Sequence, residues 1–174
     1  PATADDWLRL FVSFAEGCGA LNIVISDMAV PGAPMSYVNP SFCRCVGYTR
    51  EEAVGRNCRF LQGPATEFEA LHVIRTTLAA AEDCHVRITN YRKNGELFSN
   101  LLTMRPVRDA DGHYRFVIGV QFEVTDGDVE LPRKLLRLDR VLKALPTKLT
   151  LRSSRAAMTT LGAPDFARGV PGRL

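Results

Sequence analysis

Absences narrow this chain first. No apolar run approaches the ~20 residues that a membrane-spanning helix needs, and no signal-peptide pattern stands at its first residues. It has no C-x-x-C pair, and its five cysteines (Cys18, Cys43, Cys45, Cys58, Cys84) are an odd number. Neither a disulfide framework nor a metal site is therefore expected, and that cysteine usage fits a reducing, intracellular setting, the cytoplasm. Cys43 and Cys45 flank Arg44, a spacing too short for the usual metal pairs, and read as small buried hydrophobes on a helix. G-x-G-x-x-G and Walker loops are missing too, which removes a nucleotide cradled by backbone amides. Histidine is scarce: His72, His85 and His113 all lie away from Cys58, which weakens a cysteine-hydrolase reading and leaves them as surface or structural residues. There is no start methionine before Pro1-Ala2-Thr3-Ala4, so a trimmed piece of a longer protein is expected, with room upstream for an effector domain.

What is present is ordinary in bulk and uneven in detail. The 174 residues, 46% apolar and 24% charged, suffice for one domain with a core plus extensions. Of the net charge of +3, residues 147–174 hold +4 through Lys148, Arg152, Arg155, Arg168 and Arg173 against Asp165. The globular part is slightly acidic, so a nucleic-acid surface is not expected there. Rich in Gly, Pro, Ser and Thr, residues 147–174 read as a basic, loosely structured tail.

Along the chain, residues 5–16 read as a short helix that is apolar on most sides, within an N-terminal extension expected over residues 1–19. Strands are expected at 21–27 and, after the Pro- and Gly-containing turn Val30–Pro34, at 35–38. Asn39 before Pro40 caps a helix, and Thr49 with Glu52 and Thr66 with Glu69 fit capping boxes. The second box opens a helix to about Ala81 with Leu71, Ile74, Arg75 and Leu78 on one side. Strands follow at 84–92, 96–107 and 114–124, joined by the hairpin turns Lys93-Asn94-Gly95 and Asp109–Gly112. Residues 20–125 thus make a compact α+β domain. Within 126–146, leucines 131, 135, 138, 142 and 145 form an amphipathic a/d seam. Such a helix either dimerises or contacts an effector, or merely covers the sheet.

The densest polar stretch is Gly55-Arg56-Asn57-Cys58-Arg59-Phe60-Leu61-Gln62, which a helix built for packing alone would not carry. If the second hairpin is centred between residues 110 and 111, Asn100 faces Gln121. If the first is centred near Gly95, Asn90 faces Asn100. Three amides then line one face of three adjacent strands; a one-residue slip turns one away, and solvent is the alternative destination. Buried, each needs a partner, at a cost of about 1–3 kcal/mol if unmet. A flat heteroaromatic ring supplies such partners. Arg59 and, sixteen residues later, Arg75 border the same cleft and suit a phosphate. A ring at the sheet and a phosphate at the helices describe flavin mononucleotide.

The octapeptide resembles the signature of LOV (light-oxygen-voltage) domains, the flavin-binding blue-light sensors of the PAS superfamily. Asn90-Tyr91 and Ile118-Gly119-Val120-Gln121 are similar to the family as well, so the likeness covers about residues 20–125. It implies a five-stranded antiparallel sheet with short helices on one face and flanking N- and C-terminal helices. It further implies FMN held by Asn57, Arg59, Gln62, Arg75, Asn90, Asn100 and Gln121, with Leu102, Met104 and Val117 near the ring. FAD is disfavoured, because no insertion between Gln62 and Arg75 makes room for an adenine dinucleotide. By the same resemblance Cys58 is the nucleophile of a reversible photoadduct at flavin C4a, and Gln121 senses N5 and relays the change towards residues 131–145. The implied output is a change in docking, a homodimer or an intramolecular effector contact, with no substrate turnover. Ser99 stands where many relatives carry Trp, and Leu102, Met104 and Val117 where Phe or Leu is frequent, so colour or dark recovery is expected to differ. The loop Val30–Pro34 exceeds the minimum length. A flavin-dependent oxidoreductase and a cofactor-free PAS scaffold are the rival readings.

Overall fold

The computed structural model describes residues 21–109, 111–145, 147 and 148. The expected helix at 5–16 and the tail beyond Lys148 lie outside the described residues. Five strands, β1 (Asn22–Asp27), β2 (Met35–Val38), β3 (Cys84–Tyr91), β4 (Leu97–Arg108) and β5 (Tyr114–Glu123), form one sheet in the order β2-β1-β5-β4-β3. All neighbours are antiparallel. Between β2 and β3 lie α1 (Pro40–Val46), α2 (Arg50–Ala53), a short 3-10 helix (Cys58–Leu61) and α3 (Phe68–Ala80), and α4 (Leu131–Ala144) follows β5.

The strand period of two divides the apolar residues between two faces. Ile23 and Ile25 of β1 and Ile118, Val120 and Phe122 of β5 face Leu138, Val141 and Leu145 of the α4 segment. Val24 points the other way, into a second core with Val38, Phe42, Val46, Ala53, Leu61 and Phe98. The short helices therefore cover one face and α4 the other.

Local chemistry sets the helix ends. Asn39 accepts from the Phe42 amide at 3.0 Å ahead of Pro40, and Gly47, at φ 78°, closes α1 in a left-handed turn that suits glycine. The Thr49–Glu52 box is formed in both directions. The Thr66–Glu69 box is not. Helix α3 begins at Phe68 without a side-chain cap, because Thr66 Oγ1 donates to Thr89 O at 2.7 Å and accepts from Gly63 N at 3.0 Å. Glu67 in turn accepts from Thr89 N and Oγ1, so both residues serve the edge strand β3 instead of the helix.

Both hairpin registers also differ from expectation. Asn100 pairs with Glu123 and Ile88, while Gln121 pairs with Leu102 and Asn90 with Phe98. Each slip is two residues, so the amides are diagonal neighbours and keep the same face. The leucine seam is divided: Leu138 and Leu145 are buried on the sheet, whereas Leu135 stays exposed beside Leu136.

Candidate functional site

The octapeptide folds as a loop entering the 3-10 helix, and its side chains part company there. Arg56 stacks over Phe60, 4.0 Å from the ring centroid, and so serves packing. The Asn57 side chain caps the 3-10 helix by accepting from Arg59 N at 3.0 Å. Its Nδ2 donates to Gly32 O and Ala33 O at 2.6 and 3.3 Å, tying the β1–β2 loop to the turn that carries Cys58. Gly63 follows Gln62, and a Cβ there would lie 2.5 Å from the Tyr91 ring, so only glycine lets the chain pass under that ring. Tyr91 is held in turn, its hydroxyl accepting from Ala65 N at 2.8 Å.

These elements enclose a cavity of about 350 Å3 between the 3-10 helix, α3 and the sheet, within the range of small-molecule sites. Asn57, Cys58, Arg59 and Gln62 line one side. Leu71, Ile74, Arg75 and Leu78 of α3 line another, as the helix spacing predicts. Asn90, Leu102, Met104, Val117 and Gln121 supply the sheet wall. Asn100 stands behind that wall, 1% exposed, and its Nδ2 donates to Asn90 Oδ1 at 2.9 Å and to Gln121 Oε1. Asn90 Nδ2 reaches Leu61 O at 3.3 Å and so joins the amide row to the 3-10 helix.

Val24, Ser26, Ile88 and Gly119 complete the sheet wall, and Met28 and Ala33 close it from the loop. Sequence reasoning missed them. Ile88 shares the parity of Asn90 on β3, and Gly119 that of Val117 and Gln121 on β5, a signal the sequence carries; Val24, Ser26 and the loop residues have no such neighbour among the predicted ones. Gly119 leaves the floor open beside Leu102 and Val24, where a side chain would stand.

Two features of the cavity fit a flavin. Asn100 Oδ1 is buried with no hydrogen-bond partner, in a row of amides that offers a polar ring both donors and acceptors. Arg59 and Arg75 are exposed at the wall, and neither forms an ion pair among the described residues, leaving both guanidinium groups available to an anion. Cys58 exposes its surface to this hollow while surrounded by cavity walls. That burial pushes its thiol above the ordinary value, and Arg59 pulls it down less strongly. His72, His85 and His113 are all exposed, His85 contacting Thr103 Oγ1 at 3.1 Å. Cys43 and Cys45 are half-buried rather than buried, and the four described cysteines are free. Among the described residues no helix is long and apolar enough to cross a membrane.

Comparison with known proteins identifies the family and the fold. A family model described as a PAS domain matches residues 23–126. Phototropin-2 of Oryza sativa subsp. japonica is 36% identical over 144 residues, covering 83% of this chain and 16% of the relative. Blue-light-activated histidine kinase 1 of Erythrobacter litoralis (strain HTCC2594) is 41% identical over 121 residues, covering 70% of this chain and 33% of the relative. The chain thus spans a third or less of these curated relatives. A solved structure from flavin-analogue work on the LOV domain mechanism superposes with a TM-score of 0.64 at 34% identity, covering 76% of this chain and 96% of the other.

Proposed function

The chain belongs to the PAS family, among its LOV domains, and on that premise we propose that it is a blue-light photosensory module that binds FMN and reacts reversibly through Cys58. The observation that carries this reading is the single cavity shared by Cys58, the amide row and two unpaired arginines. A flavin held there would supply a ring that blue light makes reactive towards the Cys58 thiol, reversibly in darkness.

The chain's own residues do the rest. Crowding by the cavity walls raises the Cys58 thiol above its ordinary value, so sulfur and proton are presented together and no neighbouring base is invoked. Arg59 and Arg75 would pair with the phosphate, and Asn90 and Gln62 would hold the ring and its side chain, with Asn100 bracing Asn90 and Gln121 from behind the wall. Gln121 carries an acceptor and a donor on one amide, so a change of proton at N5 changes which of them pairs. Its strand leads within ten residues to α4, the output element in this reading, by undocking, dimerisation or an effector contact.

Purified protein supplied with FMN is expected to be yellow, to bleach under blue light and to recover in the dark. Cys58→Ala is expected to bind flavin and stay yellow under the same light. Colourless protein would leave a PAS scaffold, and bleaching only with added reductant would leave a flavin oxidoreductase.

A further inference from the structure

A cleft of about 450 Å3 outside the flavin cavity collects Asn22, Ser41, Arg44, Arg92, Glu123 and Lys134 from five separate parts of the fold. Glu123, the last residue of β5, lies two positions beyond Gln121 on the same face of the strand. It is gripped from two sides. Arg92, at the β3–β4 turn, places Nη2 2.8 Å from both carboxylate oxygens of Glu123. Its Nη1 donates to Cys45 O near the end of α1, and its guanidinium lies 4.6 Å from the Phe98 ring centroid. The Arg92 side chain is 17% exposed and that of Glu123 36%, so the pair is half-buried and, being two-pronged, better fixed than a fully exposed ion pair. From the other side Lys134 of α4 donates to Glu123 O at 3.2 Å and to Asp128 Oδ2 at 2.6 Å.

The second core cluster thus holds the carboxylate and the output helix holds the carbonyl of one residue. We propose that Arg92 is a positioning residue for output: it anchors the end of β5 through Glu123, so that a rearrangement at Gln121 is delivered to Lys134 and α4. An anchored strand end passes a displacement on; a loose one absorbs it locally. This inference rests on the photoreceptor reading and goes beyond it, since Arg92 lines no part of the flavin cavity.

Hydrogen exchange of residues 131–145, measured in darkness and under blue light on the FMN-bound chain, tests it. Light is expected to raise exchange there about fivefold or more in the unmodified protein, at the lower end of ordinary coupling. Arg92→Met keeps the apolar stem over Phe98 and removes the bonds to Glu123 and Cys45 together with the ion pair to Glu96; it is expected to bleach and recover as before while the light–dark ratio falls below about twofold. Glu123→Gln retains the backbone carbonyl for Lys134 and is expected to lose the ratio in the same way, which covers the case of an unfolded Arg92 variant. Arg44→Ala, in the same cleft without a bond to Glu123, is expected to keep it. Since bleaching is read in every sample, the two ideas fail separately. A chain that does not bleach sinks the photoreceptor reading and this inference with it. Bleaching with a full light–dark ratio in Arg92→Met and Glu123→Gln overturns the inference alone, as does loss of the ratio in Arg44→Ala.

Discussion

A sulfur that is to react only on illumination has to remain a thiol in the dark, and the surroundings of Cys58 work in that direction. Enclosure raises its pKa, and Arg59 offsets only part of that rise. The neutral form is the one favoured by folding, so the associated stability is present below the ordinary thiol range near ~8.5 and is lost as pH climbs through the raised value. Alkylation of Cys58 in the dark should accordingly inflect above the ordinary thiol range. Arg59→Ala removes the opposing charge and should move the inflection higher still; a downward move contradicts the assignment. At Gly63 the constraint is steric. An added Cβ would meet three Tyr91 ring atoms at 2.5–2.8 Å, and Tyr91 is pinned by its bond to Ala65 N. Gly63→Ala should cost about 1–3 kcal/mol in urea unfolding and weaken flavin binding, because the displaced segment carries Gln62.

Among the elements, those with strong local signals were legible and those decided by long-range partners were not. Every strand lies within a residue or two of its sequence-derived bounds, since alternation and Gly- or Asp-containing turns are local properties. Registers depend on how each turn closes, and Gly95 N bonding to Arg92 O places the first hairpin one residue earlier than its glycine alone indicates. The site survived because the slips were even. Thr66 and Glu69 fit a capping box by pattern, yet β3 takes the side chains of Thr66 and of Glu67 beside it from over twenty residues away. For α4 the pattern gave the apolar stripe but not its occupant, which is the sheet. Leu138 is 7% exposed and Leu136 53%. Leu138→Ala should therefore cost about 2–5 kcal/mol of docking, seen as faster proteolysis within 131–145 while the core strands stay protected. Leu136→Ala should change it by no more than about 0.5 kcal/mol.

At the scale of the whole molecule, covering the sheet and pairing with a second copy compete for one surface of α4. The residues that could pack α4 against a second copy, Leu138, Val141 and Leu145, are the ones it spends on β1 and β5. What remains outside is Leu135 and Leu136 among the exposed Arg133, Arg137 and Arg140. A stable interface buries about 800 Å2 per partner around a charge-poor centre, and two half-exposed leucines set among arginines fall well short of that. Dimerisation through the leucine seam therefore requires α4 to leave the sheet first, which couples assembly to the Glu123–Lys134 end of the helix. Light scattering on the FMN-bound chain should give the 19.2 kDa monomer in darkness and a mass that rises with concentration under blue light. Leu138→Lys places a charge in the docked face and should expose the helix without allowing an apolar seam, so α4 becomes protease-sensitive in darkness while the mass stays monomeric in light. A dark dimer that Leu138→Lys leaves intact would show that the copies meet elsewhere and that α4 covers the sheet and nothing more.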